Sequence, residues 1–273
     1  MKYLTKEWYK TMQKTDMHLL LKTSKKAEIF SEEYYNELYK RKEKDWIKQQ
    51  KDISNVKFEE AFPEYANTLF LSEDEHKERE KLLIKYNERR PFNPIQEKEQ
   101  FKCLQKDYIK LLEYKLPTEI LSRVADIRVL ALERASSDVK RIIADYCKEQ
   151  NMKVQKVLKD YQQYYDKELK DCKNKVIQDF NLHDSLIINI IKEKNKLIVE
   201  LDSSGSFVDV KVIIFEDYEI IEEEMNFENG WWLYEEIYIV DDKYEIHSLI
   251  DVPKNNKANL GYFTVRAKNI ILE

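Results

Sequence analysis

Glycine is scarce in this chain, and the little there is lies toward one end. The 273 residues contain three glycines, Gly205, Gly230 and Gly261, so the first 204 residues contain none. Glycine weakens the interior of a helix, whereas tight turns between strands often need its positive φ. The distribution therefore predicts helices in the first two thirds of the chain and strands joined by tight turns in the last third.

Long apolar runs are also missing. The longest, residues 186–191 and 212–215, have the length of a strand and are far too short to cross a membrane. Residues 1–10 have no apolar core of the kind that a signal peptide needs. The three cysteines are odd in number and widely spaced, which is poor material for a disulfide framework or a zinc site. We therefore expect a cytoplasmic protein that does not enter a membrane, and the abundance of Lys, Asn, Ile and Tyr favours a bacterial source.

Charged side chains are plentiful but unevenly distributed. Residues 1–170 carry 36 basic and 31 acidic side chains, a net charge of +5, whereas residues 171–273 carry 11 and 21, a net charge of −10. Nucleic-acid binding depends on positive charge, so it is disfavoured for the C-terminal part and is an alternative for the mildly basic N-terminal part. The acidic part would suit a basic protein partner.

The apolar pattern before the boundary has the period of a helix. Serines that mark helix starts are Ser31, Ser72 and Ser136, and Pro117 fits the first turn of a helix that carries Ile120, Val124 and Ile127. These signals predict five to seven helices. One helix is expected over about residues 151–180, because apolar residues recur there at spacings of three and four: Val154, Leu158, Tyr161, Tyr165, Leu169, Cys172 and Val176.

The period after the boundary becomes that of strands. Short strands joined by short turns predict antiparallel neighbours, because a parallel return needs a long crossover. The expected fold is therefore α+β, with a helical domain over residues 1–180 and an acidic antiparallel β domain over residues 181–273. The predicted strands cover residues 185–191, 196–201, 207–215, 218–223, 231–240, 244–250 and 262–268.

Two tryptophans begin the most distinctive cluster of the β domain. On a strand, Trp231 and Trp232 point to opposite faces, so one packs in the core and the other lies under the helices or is exposed. An exposed tryptophan beside carboxylates is a plausible anchor for a protein partner; burial of both is the more ordinary interpretation. The candidate binding residues are Trp231, Trp232, Tyr234, Glu235 and Glu236, together with the acidic stretch Glu222, Glu223 and Glu224.

Four polar residues form a second candidate group. Consecutive residues of an extended segment point to opposite faces, so His183-Asp184-Ser185 cannot be a catalytic triad, and we expect His183 and Asp184 to shape a turn. Asp126 and Arg128 lie two residues apart on an apolar helix and should point to different sides, each pairing with another helix. The alternative hypothesis is a hydrolase or metal-enzyme site between the helical and β parts, built from His183, Asp184, Asp126 and Arg128.

The pair Glu73 and His76 has the E-x-x-H spacing that di-iron helices use. No second E-x-x-H occurs, and Glu73 falls in the first turn behind Ser72, where the helix dipole favours acidic side chains. Capping is therefore the stronger interpretation. The chain has no phosphate-binding loop, dinucleotide-binding turn, nucleophile elbow or C-x-x-C motif, so we assign no cofactor, no metal and no catalytic residue.

Three local patterns resemble one family. They are residues 1–9, residues 116–133, and Leu182-His183-Asp184-Ser185 with residues 232–236. Together they resemble an uncharacterised family of low-GC Gram-positive bacteria catalogued as domain of unknown function four thousand and eighty-five, a resemblance that implies no activity and no site. The His-Asp-Ser entry to an acidic sheet is also similar to small bacterial domains of the immunity and antitoxin type, which is a likeness of fold. The leading hypothesis is a non-enzymatic protein-interaction module that uses its acidic β domain.

Overall fold

The computed structural model of the chain describes residues 1–66, 68–169, 180–206, 208–254 and 257–273. Helices come first in the chain and an eight-stranded antiparallel sheet follows, so the predicted α+β class is confirmed. Among the described residues, no helix has both the length and the apolar character needed to cross a membrane.

The described ranges contain eight α-helices. This number exceeds the predicted five to seven because α3, α6 and α7 have only four or five residues each. The predicted caps are present: the hydroxyls of Ser31, Ser72 and Ser136 each accept a backbone N–H three residues later. The helices are α1 Lys6–Met12, α2 Glu32–Asn55, α3 Phe58–Ala61, α4 Glu73–Asn87, α5 Pro94–Lys115, α6 Thr118–Leu121, α7 Ile127–Ala131 and α8 Ser137–Glu168.

The predicted continuous helix after Pro117 is wrong. The segment forms two short helices, α6 and α7, because Asp126 has extended backbone and its carboxylate accepts the N–H of Arg128, which starts a new helix there. The helix expected over residues 151–180 is the second half of α8, which already begins at Ser137. Cys172 and Val176, which were placed on its apolar face, lie outside the described residues.

The chain divides into two compact units. The helical unit comprises Met17–Asp145, and the sheet unit comprises Met1–Asp16 together with Tyr146–Glu273. The sheet unit thus takes in the start of the chain and most of α8 as well as the eight-stranded sheet. The expected domains of residues 1–180 and 181–273 stay a prediction.

The helical unit has a small core of its own between α2, α5 and α7. Leu38, Phe101, Val129 and Leu132 are buried there. Two short strands that the sequence did not predict, β1 Lys22–Thr23 and β2 Arg134–Ala135, pair in parallel within this unit.

The sheet has the strand order β10-β5-β4-β3-β7-β8-β9-β6, and every neighbouring pair is antiparallel. The predicted strand over 207–215 starts only at Val212, and Phe207 lies outside the described residues. Strand β10 was missed because four residues are too few to show a period. The strands are β3 Ser185–Lys192, β4 Lys196–Asp202, β5 Val212–Glu216, β6 Glu219–Glu223, β7 Trp231–Val240, β8 Lys243–Asp251, β9 Leu260–Ala267 and β10 Asn269–Leu272.

The sheet curls so strongly that its two ends approach each other. Only Asp217 and Tyr218 separate β5 from β6, yet these strands stand near opposite ends of the strand order. The expectation that a short turn makes its two strands neighbours is therefore wrong at this place. A link of two residues spans at most about 10 Å, so the sheet must bend to let β6 pair with β9. Its concave face encloses a core that includes Phe215, Phe227 and Trp232.

The glycines do not serve the role that the sequence predicted. None of them has a positive φ; the left-handed turn positions are held by Asp184, Asp217, Asn229, Asp241 and Asp242, with Glu133 in the helical unit. Aspartate and asparagine tolerate this conformation because their short side chains bond the local backbone. Glycine is instead required where atoms approach closely: a Cβ at Gly230 would lie 2.8 Å from both the Ile250 side chain and the Phe227 carbonyl oxygen.

Candidate functional site

A β-bulge in β7 directly follows the two tryptophans. The register between β7 and β8 shifts between Trp232 and Tyr234, so strict alternation fails and both Trp232 and Leu233 are buried. Trp232 is completely enclosed, whereas 41% of Trp231 is exposed. The more ordinary expectation, burial of both tryptophans, is therefore wrong.

Trp231 lies in an aromatic and acidic neighbourhood that we call the Trp231 patch, formed by Trp231, Tyr9, Asp184 and Asp251. Trp231 and Asp251 stand directly opposite each other on β7 and β8, so their side chains share one face of the sheet. Asp184 is near as well, since a Cβ at Gly205 would contact both its carbonyl oxygen and the Trp231 ring. Burial raises the pKa of Tyr9, and the carboxylates of Asp251 and Asp184 raise it further, which puts both charges close to this phenol.

The carboxylate of Glu235 lies on the core side of β7, close to the bulge. It accepts a hydrogen bond from the Trp232 indole at 2.9 Å. Burial raises the pKa of Glu235 to about 7, although the Trp232 and Leu182 N–H groups oppose that rise. The residue therefore changes charge near neutral pH, and it is not part of the exposed surface that the sequence suggested.

Glu236 is buried completely and binds the start of the chain. Its carboxylate accepts the backbone N–H groups of Lys2 and Tyr3, both at 2.7 Å, and that of Leu4. The Tyr238 hydroxyl is a fourth donor. We call residues 1–12 the N-terminal arm; it consists of an irregular segment and α1. Three of the donors to Glu236 are therefore backbone groups of the chain's own arm, and its role in binding a partner stays a prediction.

A row of polar side chains continues from Glu236 across β8 and β9. Glu236 stands opposite His247, which stands opposite Thr264. His247 Nε2 lies 2.7 Å from Glu245, and its Nδ1 lies 3.2 Å from the backbone nitrogen of Met1. Hydrogen bonds from Arg266 and His247 keep the pKa of Glu245 below its ordinary value despite the opposing effect of burial. This row was not predicted from the sequence. Its one signal there is the pair Glu245 and His247, which lie two residues apart in β8.

Tyr234 joins the arm to the same face of the sheet. Its ring packs edge-on against Trp8 at 4.9 Å and against His183 at 4.8 Å, and its hydroxyl donates to Met12 Sδ. Leu4, Trp8 and Val154 are buried beside it. Tyr234 is thus a packing residue that places α1 next to the Trp231 patch.

The acidic stretch Glu222 to Glu224 is largely paired within the sheet unit. Glu223 forms an ion pair with Lys192 at 2.7 Å, and Glu224 forms one with Lys6 of the arm. Glu222 stands opposite Thr264 on β9. Two of the three carboxylates therefore have basic partners from the same chain.

The four polar residues of the second candidate group fall into two pairs in different units. His183 and Asp184 form the turn before β3, where Asp184 has a φ of 66° and donates its N–H to the Trp232 carbonyl. Nδ1 of His183 lies 2.9 Å from the Asp184 carboxylate, although without the geometry of a hydrogen bond. The expected turn is present. The enzyme site that these residues would share with Asp126 and Arg128 stays a prediction.

Asp126 and Arg128 bind each other directly, contrary to the expectation that they point apart. Arg128 donates from Nε and Nη2 to the Asp126 carboxylate at 2.8 to 3.2 Å, and its Nη2 donates to Glu32 of α2 at 2.7 Å. They meet because Asp126 precedes α7 and is not part of a helical turn. The arrangement is a structural ion-pair network inside the helical unit.

Glu73 lies in the first turn of α4, behind the complete capping box of Ser72 and Glu75. This is the arrangement that the capping interpretation predicts. Within the described ranges, no group of three or more His, Cys, Asp or Glu side chains is placed to hold a metal ion.

Comparison with known proteins gives one finding. The sequence model of the family described as "Protein of unknown function (DUF4085)" matches residues 56–259, which is most of the chain. Two of the three patterns that carried the resemblance lie inside this range, and residues 1–9 precede it. No curated protein and no solved structure matches.

Proposed function

We propose that this chain, which belongs to the family of proteins of unknown function named above, is a non-enzymatic protein-interaction module that binds a basic protein through the Trp231 patch. The exposure of Trp231 is the observation that carries the proposal. The ring is held on a central strand whose next residue, Trp232, is anchored in the core. Tryptophan, with its large and rigid ring, is among the residues enriched at hot spots, the few positions that contribute most of the binding energy of a protein interface.

The charges around the ring favour a basic partner. Asp184 and Asp251 flank Trp231, and the last 103 residues carry ten more acidic than basic side chains. A lysine or arginine of the partner would bind the face of the indole by a cation–π interaction and pair with a carboxylate beside it. The surplus of negative charge would also speed the encounter. Such a role suits a cytoplasmic protein of the immunity or antitoxin type.

The test compares proteins recovered from a native lysate by the immobilised full chain and by two variants. Trp231→Ala removes the aromatic anchor, and Asp184→Asn removes one charge while keeping a residue that accepts the left-handed conformation. The matched controls are Ile239→Ala, exposed on the same strand, and Asp242→Asn, a left-handed aspartate in the next turn. We expect a stoichiometric basic protein that is released by salt.

Titration calorimetry with that purified protein then measures the contribution of each residue. Trp231→Ala should weaken binding at least tenfold, Asp184→Asn should weaken it less and flatten its salt dependence, and both controls should bind like the parent chain. Equal affinity of the parent and Trp231→Ala, or a partner that is acidic, would rule the proposal out.

A further inference from the structure

The face of the sheet that the N-terminal arm covers has the features of a peptide-binding groove. Its centre is Glu236, a carboxylate without solvent exposure. Burial of a carboxylate is costly unless donors surround it, and here three successive backbone N–H groups of the arm supply most of them. The sheet thus presents an acceptor that is shaped for three consecutive amides.

Backbone donors do not depend on the identity of the side chain. Any segment that brings three successive N–H groups to Glu236 can therefore satisfy the carboxylate as the arm does. Selectivity has to come from the side chains on either side of this contact.

Two features beside Glu236 provide that selectivity. Leu4 is buried next to the carboxylate, in a cluster with Trp8 and Val154. Two residues later, the Lys6 backbone N–H donates to the Tyr262 hydroxyl at 2.9 Å, and its ammonium pairs with Glu224 and lies 4.3 Å from the Tyr262 ring centroid. The groove therefore selects an apolar side chain followed two positions later by a lysine.

We propose that this groove binds a segment of a second protein with these features, and that the chain's own arm is the resident occupant with which it competes. The ligand class is an irregular or extended basic peptide with three free consecutive amides, an apolar residue and a lysine. The inference does not depend on the role of Trp231. An attached arm competes at an effective concentration on the order of millimolar, so an external peptide binds the parent chain weakly.

The experiment uses a fluorescein-labelled peptide of residues 1–12 and fluorescence anisotropy with the full chain. Lys6→Ala in the protein removes an ion pair and a cation–π contact from the resident arm and leaves the groove intact. The labelled peptide, which keeps its own lysine, should then bind roughly tenfold more tightly than it binds the parent chain. Lys10→Ala is the matched control, because Lys10 is exposed and its ion pair with Glu7 lies within α1.

A change in the peptide tests the contact at Glu236 without any risk to the fold. Methylation of the Tyr3 amide nitrogen deletes one donor, so affinity for the Lys6→Ala protein should fall at least tenfold, and a scrambled peptide of the same composition should not bind. Glu236→Ala, which leaves no acceptor, should abolish the difference between the methylated and unmodified peptides. Asp242→Asn, in the turn after β7, should leave peptide binding unchanged.

Equal binding of the methylated and unmodified peptides to the Lys6→Ala protein would overturn the proposal. So would a failure of Lys6→Ala to tighten binding. A dimer of the chain that dissociates when the peptide is added would show that arms of second copies fill the groove, and would also overturn the assignment to another protein.

Discussion

Glu235 and Glu236 are adjacent in sequence and have different environments. Glu236 is surrounded by donors from the arm, whereas Glu235 has the Trp232 indole and one backbone N–H in an otherwise apolar setting. The two residues pair regularly with Ser248 and His247, so their side chains point to opposite faces of the sheet, Glu235 toward the core and Glu236 toward the arm. Two neighbouring carboxylates thus contribute oppositely to the stability of the sheet unit.

Glu235→Gln should change how the stability of the chain depends on pH. The folded chain holds the Glu235 proton up to a pKa of about 7, whereas the unfolded chain releases it near 4.5. The parent chain therefore loses stability as the pH rises from about 5 to 7, by at most about 3 kcal/mol. Glutamine has no such proton to lose, but it has one acceptor oxygen fewer. We therefore expect the Glu235→Gln chain to be about 2 kcal/mol more stable than the parent chain at pH 8.

Urea unfolding of both chains at pH 5 and pH 8 measures this effect. Glu7→Gln, on the exposed side of α1, is the control and should follow the parent chain at both pH values. A difference between Glu235→Gln and the parent that is the same at pH 5 and pH 8 would contradict the pKa of Glu235.

Gly230→Ala should destabilise the sheet unit by about 1–3 kcal/mol. The new Cβ would overlap with Ile250, Val252 and the Phe227 carbonyl oxygen, and the last of these is backbone and cannot rotate away. Thermal unfolding measures the loss. Gly205→Ala is the comparison. The atom nearest to its new Cβ would be 3.0 Å away, so the loss of stability should be smaller. An equal or larger loss for Gly205→Ala would show that the Ile250 and Val252 side chains move aside easily.

At the level of whole elements, α4 depends on its cap more than the other long helices do. None of its residues is buried, so it packs less tightly than the other long helices, and the Ser72 capping box supplies the order at its start. Helix starts of this kind were visible in the sequence because they depend on residues three positions apart. The break between α6 and α7 was not, since a single Asx contact at Asp126 overrides a helical apolar pattern.

Ser72→Ala should loosen α4 by about 1 kcal/mol. Hydrogen exchange of the α4 amides should accelerate about fivefold. Ser54→Ala in α2 is the control, because the Ser54 hydroxyl only donates to the Lys51 carbonyl of its own helix. Unchanged exchange in α4 after the Ser72 substitution would mean that the helix is held by something other than its cap.

At the level of the molecule, the sequence reveals the order of helices and sheet but not the pairing of distant segments. The change in apolar period is local, so the α+β class could be predicted. The arm and Glu236 lie 232 residues apart at Leu4, and no local pattern encodes that contact. Alternation puts Trp231 and Trp232 on opposite faces, but it does not show whether another segment covers the outer ring. It also does not foresee the bulge that buries Leu233 together with Trp232.

Trp8→Ala should show that the arm is an integral part of the sheet unit. Trp8 is buried, and its indole N–H points at the Val154 carbonyl at 3.4 Å. The substitution should lower the free energy of unfolding by about 3–5 kcal/mol. It should also speed hydrogen exchange in β7 as well as in the arm. Trp231→Ala should cost less, about 1–2 kcal/mol, because 41% of that residue is exposed. Normal exchange in β7 of the Trp8 variant would contradict this coupling.

The sheet unit is built from two separate stretches of the chain, which are made at different times during translation. The ribosome releases Leu4 and Trp8 long before it has made Glu236, which is 232 residues further on than Leu4. At bacterial elongation speeds the wait is roughly 10 to 50 seconds. During that interval the arm can contact Val154 of α8 but not β7, so Leu4 and Trp8 stay partly uncovered. Synonymous codons that slow synthesis before β7 would prolong that exposure.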